Sequence, residues 1–143
     1  MCIRDRKLVE QGHAVVVAGS PGEHELCAKV IQGLPGTFNL AGNTDLYDMI
    51  HVLKPARYLV SNDSGTMHLA AAAGTPTVSL FGPTTLELGY RPWQSKAKVV
   101  QKPLSCRPCG LHGHKTCPIG THECMKNVAV SDVVAAGKEF LDE

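Results

Sequence analysis

The sequence predicts an α/β fold, a Rossmann-like parallel sheet with helices on both faces. Two observations carry that expectation. Short apolar, β-branched runs alternate along the chain with segments of helical periodicity. These runs are apolar almost throughout, rather than at every second residue, which is the pattern of parallel strands buried on both faces. With 143 residues there is room for one domain with its own core. The reading is therefore a single Rossmann-like domain over residues 1–143.

The elements follow in order. "RKLVEQG" reads as the end of a helix closed by Gly12, and the strand Ala14–Ala18 comes directly after it. A helix running straight into a central strand implies that an earlier strand has been lost, so Met1 is expected to open a fragment. "GSPGEHE" is the turn, and a helix from about Glu23 to Gln32 ends at "GLPG". "TFNLAG" gives a short strand. "NTDLYDMIHVL" is a helix with Thr44 as its cap and Leu46, Met49, Ile50 and Leu53 on its apolar face. "ARYLVS" is a strand, "GTMHLAAAAG" a helix and "PTVSLFG" another strand. The tail "SDVVAAGKEFLDE" is a helix over about 131–142, started by Ser131 or Asp132 and docked through Val133, Val134, Phe140 and Leu141.

Between "ARYLV" and "LAAAAGTPTVSLFGPT" lies Ser61-Asn62-Asp63-Ser64-Gly65-Thr66-Met67-His68. It leaves the C-terminal end of a strand and enters a helix, the edge at which open α/β sheets bind ligands. The first turn of a helix offers unpaired N–H groups and a positive dipole end, which suit an anion. Gly65 lets the backbone approach a phosphate, and Ser64 and Thr66 add hydroxyl donors. Asp63 would repel a phosphate and suits sugar hydroxyls instead. His68 lies about one turn on and can donate to a phosphate oxygen. The competing explanation is ordinary helix capping by Asp63 or Ser64.

Composition narrows the alternatives. Lysine plus arginine total 14 against 13 acidic residues, and aromatics make up 5%, so neither charge nor stacking surface points to nucleic acid. No apolar run is long enough to cross a bilayer, and the chain reads as a cytoplasmic protein.

The segment Asn62–Thr84, "NDSGTMHLAAAAGTPTVSLFGPT", resembles the signature of glycosyltransferase family 9, the ADP-heptose:lipopolysaccharide heptosyltransferases and their relatives. "VVVAGSPGEHE" and "NTDLYDMIHVLKPARYLVSNDSG" are similar to what precedes it in that family. "PLSCRPCGLHGHKTCPIGTHECMKNV" is similar to a cysteine-bearing segment near the C-terminus of many members. The resemblance implies a GT-B architecture of which this chain is most of the C-terminal, donor-binding half. The donor would be ADP-heptose and the acceptor the lipopolysaccharide core, at the inner face of the inner membrane with peripheral contact there. It implies that Ser64, Gly65 and Thr66 hold the diphosphate, Asp63 the sugar and His68 the phosphate end. Glu25, or Glu23 in its place, would take the ribose, and Thr44 would lie near the adenine. No cofactor is implied, because GT-B enzymes generally use helix ends and basic side chains where others use a divalent metal. The family's general base is an aspartate of the N-terminal half, which this sequence lacks, as it lacks the early lysine that neutralises the donor phosphate. This chain alone is therefore expected to bind weakly and catalyse nothing.

Four of the six cysteines, Cys106, Cys109, Cys117 and Cys124, cluster in residues 104–127 among His112, His114 and His122. A tetrahedral zinc site in a non-catalytic α/β module that binds a nucleotide or protein partner is the alternative reading. Reduced, packed thiols are the simpler one, with disulfides only under oxidising conditions and Cys27 a core candidate. From Arg91 to Lys126 seven basic residues face one acid, Glu123, which allows an anionic surface or a solvated face. Trp93 could cover the donor cleft, but packing under the cysteine loop is the simpler expectation.

Overall fold

A computed structural model describes residues 3–93 and 96–142. Met1, and with it the expected fragment start, lies outside that range. The chain forms two compact units, Met1–Met49 and Ile50–Glu143, each with its own parallel sheet.

The first unit holds α1 (Ile3–Glu10), β1 (Val15–Val17), α2 (His24–Ile31) and β2 (Thr37–Asn39). Gly12 closes α1 with a positive φ of 86°, as its position in the sequence suggests. The strands pair in parallel, Val15 opposite Thr37 and Val17 opposite Asn39. A 3-10 turn, Pro21–Glu23, precedes α2, so the helix begins one residue later than expected and stops at Ile31. In this two-stranded sheet Val16 is 44% and Phe38 55% exposed. Cys27 is half-buried rather than in the core, and burial raises its thiol pKa.

α3 (Leu46–Leu53) is shorter than the expected helix, and its cap differs. Asp45 Oδ1 accepts from Asp48 N at 2.8 Å while Asp48 Oδ2 accepts from Asp45 N at 3.2 Å. This reciprocal pair does at Asp45 what Thr44 was expected to do, because a carboxylate also favours the positive end of the helix. Leu46 is 76% exposed and so leaves the apolar face, whereas Leu53 is buried.

The second unit is built on β3 (Leu59–Asn62), β4 (Thr77–Phe81) and β5 (Ala97–Gln101), parallel in the order β3-β4-β5. β5 has no counterpart in the expected elements. α4 (Gly65–Ala73) connects β3 to β4 and ends at Gly74, whose φ of 79° provides a left-handed cap. β4 is central, and Thr77, Val78, Ser79 and Phe81 are fully buried. Burial of Val78 and Phe81 contributes about 2 kcal/mol or more each. α6 (Val130–Lys138) packs Val133, with Phe140 just beyond it, against Val78 and Val100. Val134 and Leu141 are only half-buried. The cap of α6 is Ala129, not Ser131 or Asp132, because Asp132 instead takes Lys102 Nζ at 2.7 Å.

Trp93 is 74% exposed, so it does not pack under the cysteine segment. The basic stretch is also partly spent within the fold: Lys98 pairs with Glu139, Lys102 with Asp132, and Arg107 turns inward. No helix among the described residues is long and apolar enough to cross a membrane.

Candidate functional site

The C-terminal edge of the β3-β4-β5 sheet carries the loop singled out by the sequence. Asp63 N donates to Leu80 O at 3.0 Å, which extends the β3-β4 ladder one step and fixes the start of the loop. Ser64 then adopts extended backbone (φ −155°, ψ 168°) as the residue before α4. Its side chain does not cap the helix; Ser64 Oγ lies 3.0 Å from Ser61 Oγ instead. Asp63 does not cap either, since its Oδ2 accepts from Thr84 Oγ1 at 2.5 Å. The capping explanation for these two residues is thereby removed. The turn keeps its own bond, Met67 N to Ser64 O at 3.1 Å.

Gly65 is exposed, and a Cβ built on it would meet no described atom within 4 Å beyond its neighbours and its own helix backbone. Its φ is not in the left-handed region either, so nothing in the chain itself demands glycine there. Thr66 is half-buried, and His68 is exposed within the first turns of α4. Met67 and Ala70, on the opposite side, are fully buried. The small side chains of "LAAAA" let α4 lie close on the sheet.

Asn62 and Asp63 line a cleft of about 250 Å³ together with Leu80, Gly82, Pro83, Thr84, His112 and Met125. Its far wall comes from the cysteine-bearing segment. Gly82 lies close under that wall: an added Cβ would lie 2.9 Å from Met125 Cγ, so the methionine side chain would have to move aside. Gly113 does the same against Pro83, at 2.7 Å from its Cγ, and Cys109 N donates to Pro83 O at 2.8 Å. The short helix α5 (Glu123–Lys126) supplies Met125, and the His112 ring packs against Tyr90, tilted, with centroids 5.5 Å apart.

Behind the cleft, Arg107 binds the loop ends together. Its Nη2 donates to Phe81 O (3.1 Å), Thr84 O (2.5 Å) and Gln101 Oε1 (2.9 Å), and its Nη1 to Lys102 O (2.5 Å). Thr84, Arg107 and Met125 were missed as site residues by the sequence reading, and His112 was named only among the candidate zinc ligands. Thr84 closes the quoted "SLFGPT" stretch and was within reach; the others join the cleft only through folding.

Glu25 and Thr44 belong to the first unit. Glu25 is exposed in the first turn of α2, and Thr44 is half-buried before α3. Both follow the C-terminal ends of their strands. Glu23, the alternative to Glu25, is committed locally: Ser20 Oγ and Ser20 N both donate to Glu23 Oε2 at 2.7 Å and hold its carboxyl below the ordinary value.

Among the described residues Cys27, Cys106, Cys109, Cys117 and Cys124 are all unpaired. Among the described residues no group of three or more His, Cys, Asp or Glu side chains is arranged to hold a metal ion. The zinc-bound module therefore gains no support. The backbone N–H of His122, helped by those of Ile119, Thr121 and Gly120, lowers the Cys117 thiol pKa; burial raises that of Cys109.

Comparison with known proteins adds the following. The family model for glycosyltransferase family 9 (heptosyltransferase) matches residues 5–120. A lipooligosaccharide heptosyltransferase 2 of Campylobacter jejuni is 34% identical over 137 residues, 92% of this chain. The chain spans 42% of that relative's length. The solved ADP-heptose LPS heptosyltransferase II of Escherichia coli superposes with a TM-score of 0.77 at 27% identity, over 96% of this chain and 39% of that one. A glycosyl transferase family 9 structure from Veillonella parvula gives 0.82 at 22% identity, over 98% of this chain and 40% of that one; this likeness speaks to fold alone.

Proposed function

We propose a donor-binding role from one premise: the chain belongs to glycosyltransferase family 9, the heptosyltransferase family. The reading is that it binds ADP-heptose for transfer of the heptose to the lipopolysaccharide core, at the cytoplasmic face of the inner membrane. The Campylobacter relative is named a lipooligosaccharide heptosyltransferase and the Escherichia coli structure an ADP-heptose heptosyltransferase, which supports this donor and acceptor class.

The assignment of roles runs along the loop. Ser64, Gly65 and Thr66 present the first N–H groups of α4 and two hydroxyls to the diphosphate. His68 donates to its outer oxygens. Asp63 accepts from hydroxyls of the sugar, Glu25 from those of the ribose, and Thr44 lies toward the adenine. Transfer of the sugar leaves ADP with additional negative charge. A helix N-terminus already aimed at that position stabilises the charge without reorganising, and this is where the rate acceleration from this half originates. The acceptor hydroxyl must lose a proton to a general base. None of these seven residues is given that role, which by the family pattern falls to an aspartate of the N-terminal half.

The observation that carries the reading is Gly65. The fold needs no glycine at this position, and neither flanking side chain caps the helix, so the exposed turn is left for a ligand. Calorimetric titration of the chain with ADP, UDP and GDP tests it, with circular dichroism reporting the fold. ADP is expected to bind selectively, and Gly65→Val to weaken it by more than about tenfold while shifting stability by less than about 0.5 kcal/mol. A folded chain that ignores all three nucleotides, or a Gly65→Val variant that binds ADP as well as the wild type, overturns the assignment.

A further inference from the structure

We propose that Thr84, held in place by Arg107, is a positioning residue for Asp63 and sets the preference for a nucleoside diphosphate that carries a sugar over one that does not. The inference rests on the reading of Asp63 as the sugar-binding carboxylate.

Thr84 is 4% exposed, and the group it chooses is unusual for a buried hydroxyl. Its proton goes to the side-chain carboxylate of Asp63, on the cleft wall, rather than to a nearby backbone carbonyl. The bond to Oδ2 restrains rotation of the carboxylate and leaves Oδ1 the more open acceptor for a ligand hydroxyl. A carboxylate with no such partner rotates about χ2 and presents either oxygen.

The position of Thr84 is itself set from two sides. The Arg107 guanidinium ties Thr84 O to the end of β4 at Phe81 and to the end of β5 at Gln101 and Lys102. On the other side, Cys109 N donates to Pro83 O, the backbone at Gly113 sits against the Pro83 ring with no room for a Cβ, and Gly82 lies against the Met125 side chain. The loop 82–84 is therefore fixed relative to Asp63. Only a planar group with several donors spans those acceptors, which a lysine ammonium at the same position does not.

Calorimetric titration of the 143-residue chain with ADP-heptose and with ADP separates this role from a merely structural one. Thr84→Val is expected to weaken ADP-heptose by about tenfold, the loss of one well-placed hydrogen bond to a charged group, and to leave ADP within about twofold. Asp63→Asn should show the same selective loss, and Thr84→Ser, which keeps the hydroxyl, should bind as the wild type. Arg107→Lys should reproduce the Thr84→Val pattern; should it not fold, the Val and Ser variants at 84 decide alone. Thr84→Val binding ADP-heptose as tightly as the wild type overturns the inference, as does an equal loss of both ligands in a folded variant. If the wild type shows no preference for ADP-heptose over ADP and Asp63→Asn changes nothing, the donor reading itself fails. A preference that responds to Asp63→Asn but not to Thr84→Val refutes the positioning role alone.

Discussion

Gly137→Ala sets two effects of opposite sign against each other. Gly137 is buried in the last turn of α6, between Val133 and Phe140 of the core. Helix propensity favours alanine over glycine by about 0.8–1.0 kcal/mol in a helix interior, and by less near an end. The tertiary structure opposes the change. A Cβ at 137 would lie 2.7 Å from Tyr58 Cε2 and Cζ and 2.8 Å from its hydroxyl. Ordinary carbon contacts need about 3.5–4.0 Å, so the overlap is close to 1 Å. An aromatic ring does not bend away as a flexible chain end does, and Tyr58 is itself packed at 6.1 Å on Phe140. Either α6 lifts from Val78 and Val100 or the ring is displaced, and overpacking of this kind costs about 1–3 kcal/mol. The net expectation is destabilisation by about 1–2 kcal/mol, read as a lower urea midpoint at unchanged slope. The double variant with Tyr58→Leu should recover part of that loss, a coupling of about 1 kcal/mol. A Gly137→Ala protein as stable as the wild type, or more so, would refute the assignment of this glycine to close packing.

Three further outcomes are expected. Gly42→Ala should destabilise the first unit by about 2 kcal/mol or more, since its φ is 78° and a Cβ would lie 2.9 Å from Pro21 Cα; a neutral effect in thermal denaturation would contradict it. Lys102 hydrogen-bonds Asp132 and holds its carboxyl below the ordinary 3.8. A depressed carboxyl stabilises the fold above its unfolded pKa and loses that contribution as pH falls, so Asp132→Asn should flatten the acid limb of the stability curve below about pH 4; superimposable limbs would argue against the pair. Near neutral pH iodoacetamide should modify Cys117 before Cys109, as peptide mass spectrometry will resolve, because amide N–H groups favour the thiolate at Cys117 while burial disfavours it at Cys109; the reverse order would refute the N–H cradle at Cys117.

Much of the architecture was legible. Strands at Val15–Val17, Thr37–Asn39 and Thr77–Phe81 fall inside expected runs, as does α4 with its stop at Gly74, and Leu59–Asn62 overruns its expected strand by one residue, Asn62. These elements are signalled by local chemistry: β-branched runs, helical periodicity and glycine where φ turns positive. β5 was not legible. "AKVVQ" carries Lys98 and Gln101 and only two β-branched residues, and it is a strand because the edge of β4 is there to pair with it. The caps of α3 and α6 were misread for a related reason. Several residues at each start can cap, and which one does depends on what else competes for it, as Lys102 does for Asp132.

The sequence by itself determined where the candidate loop lies, between a strand and a helix of small residues, and which chemical groups it carries. Those are properties of consecutive residues. Only the tertiary structure decided what each group does with its hydrogen-bonding capacity. Asp63 turns to Thr84 and Ser64 to Ser61, so the first turn of α4 has no side-chain cap. The cleft wall of His112 and Met125, and the Arg107 brace behind Thr84, join residues more than twenty positions apart. No local pattern encodes such pairings, because directed hydrogen bonds and close contacts at glycine exist only once the strands have set the distances between their loops.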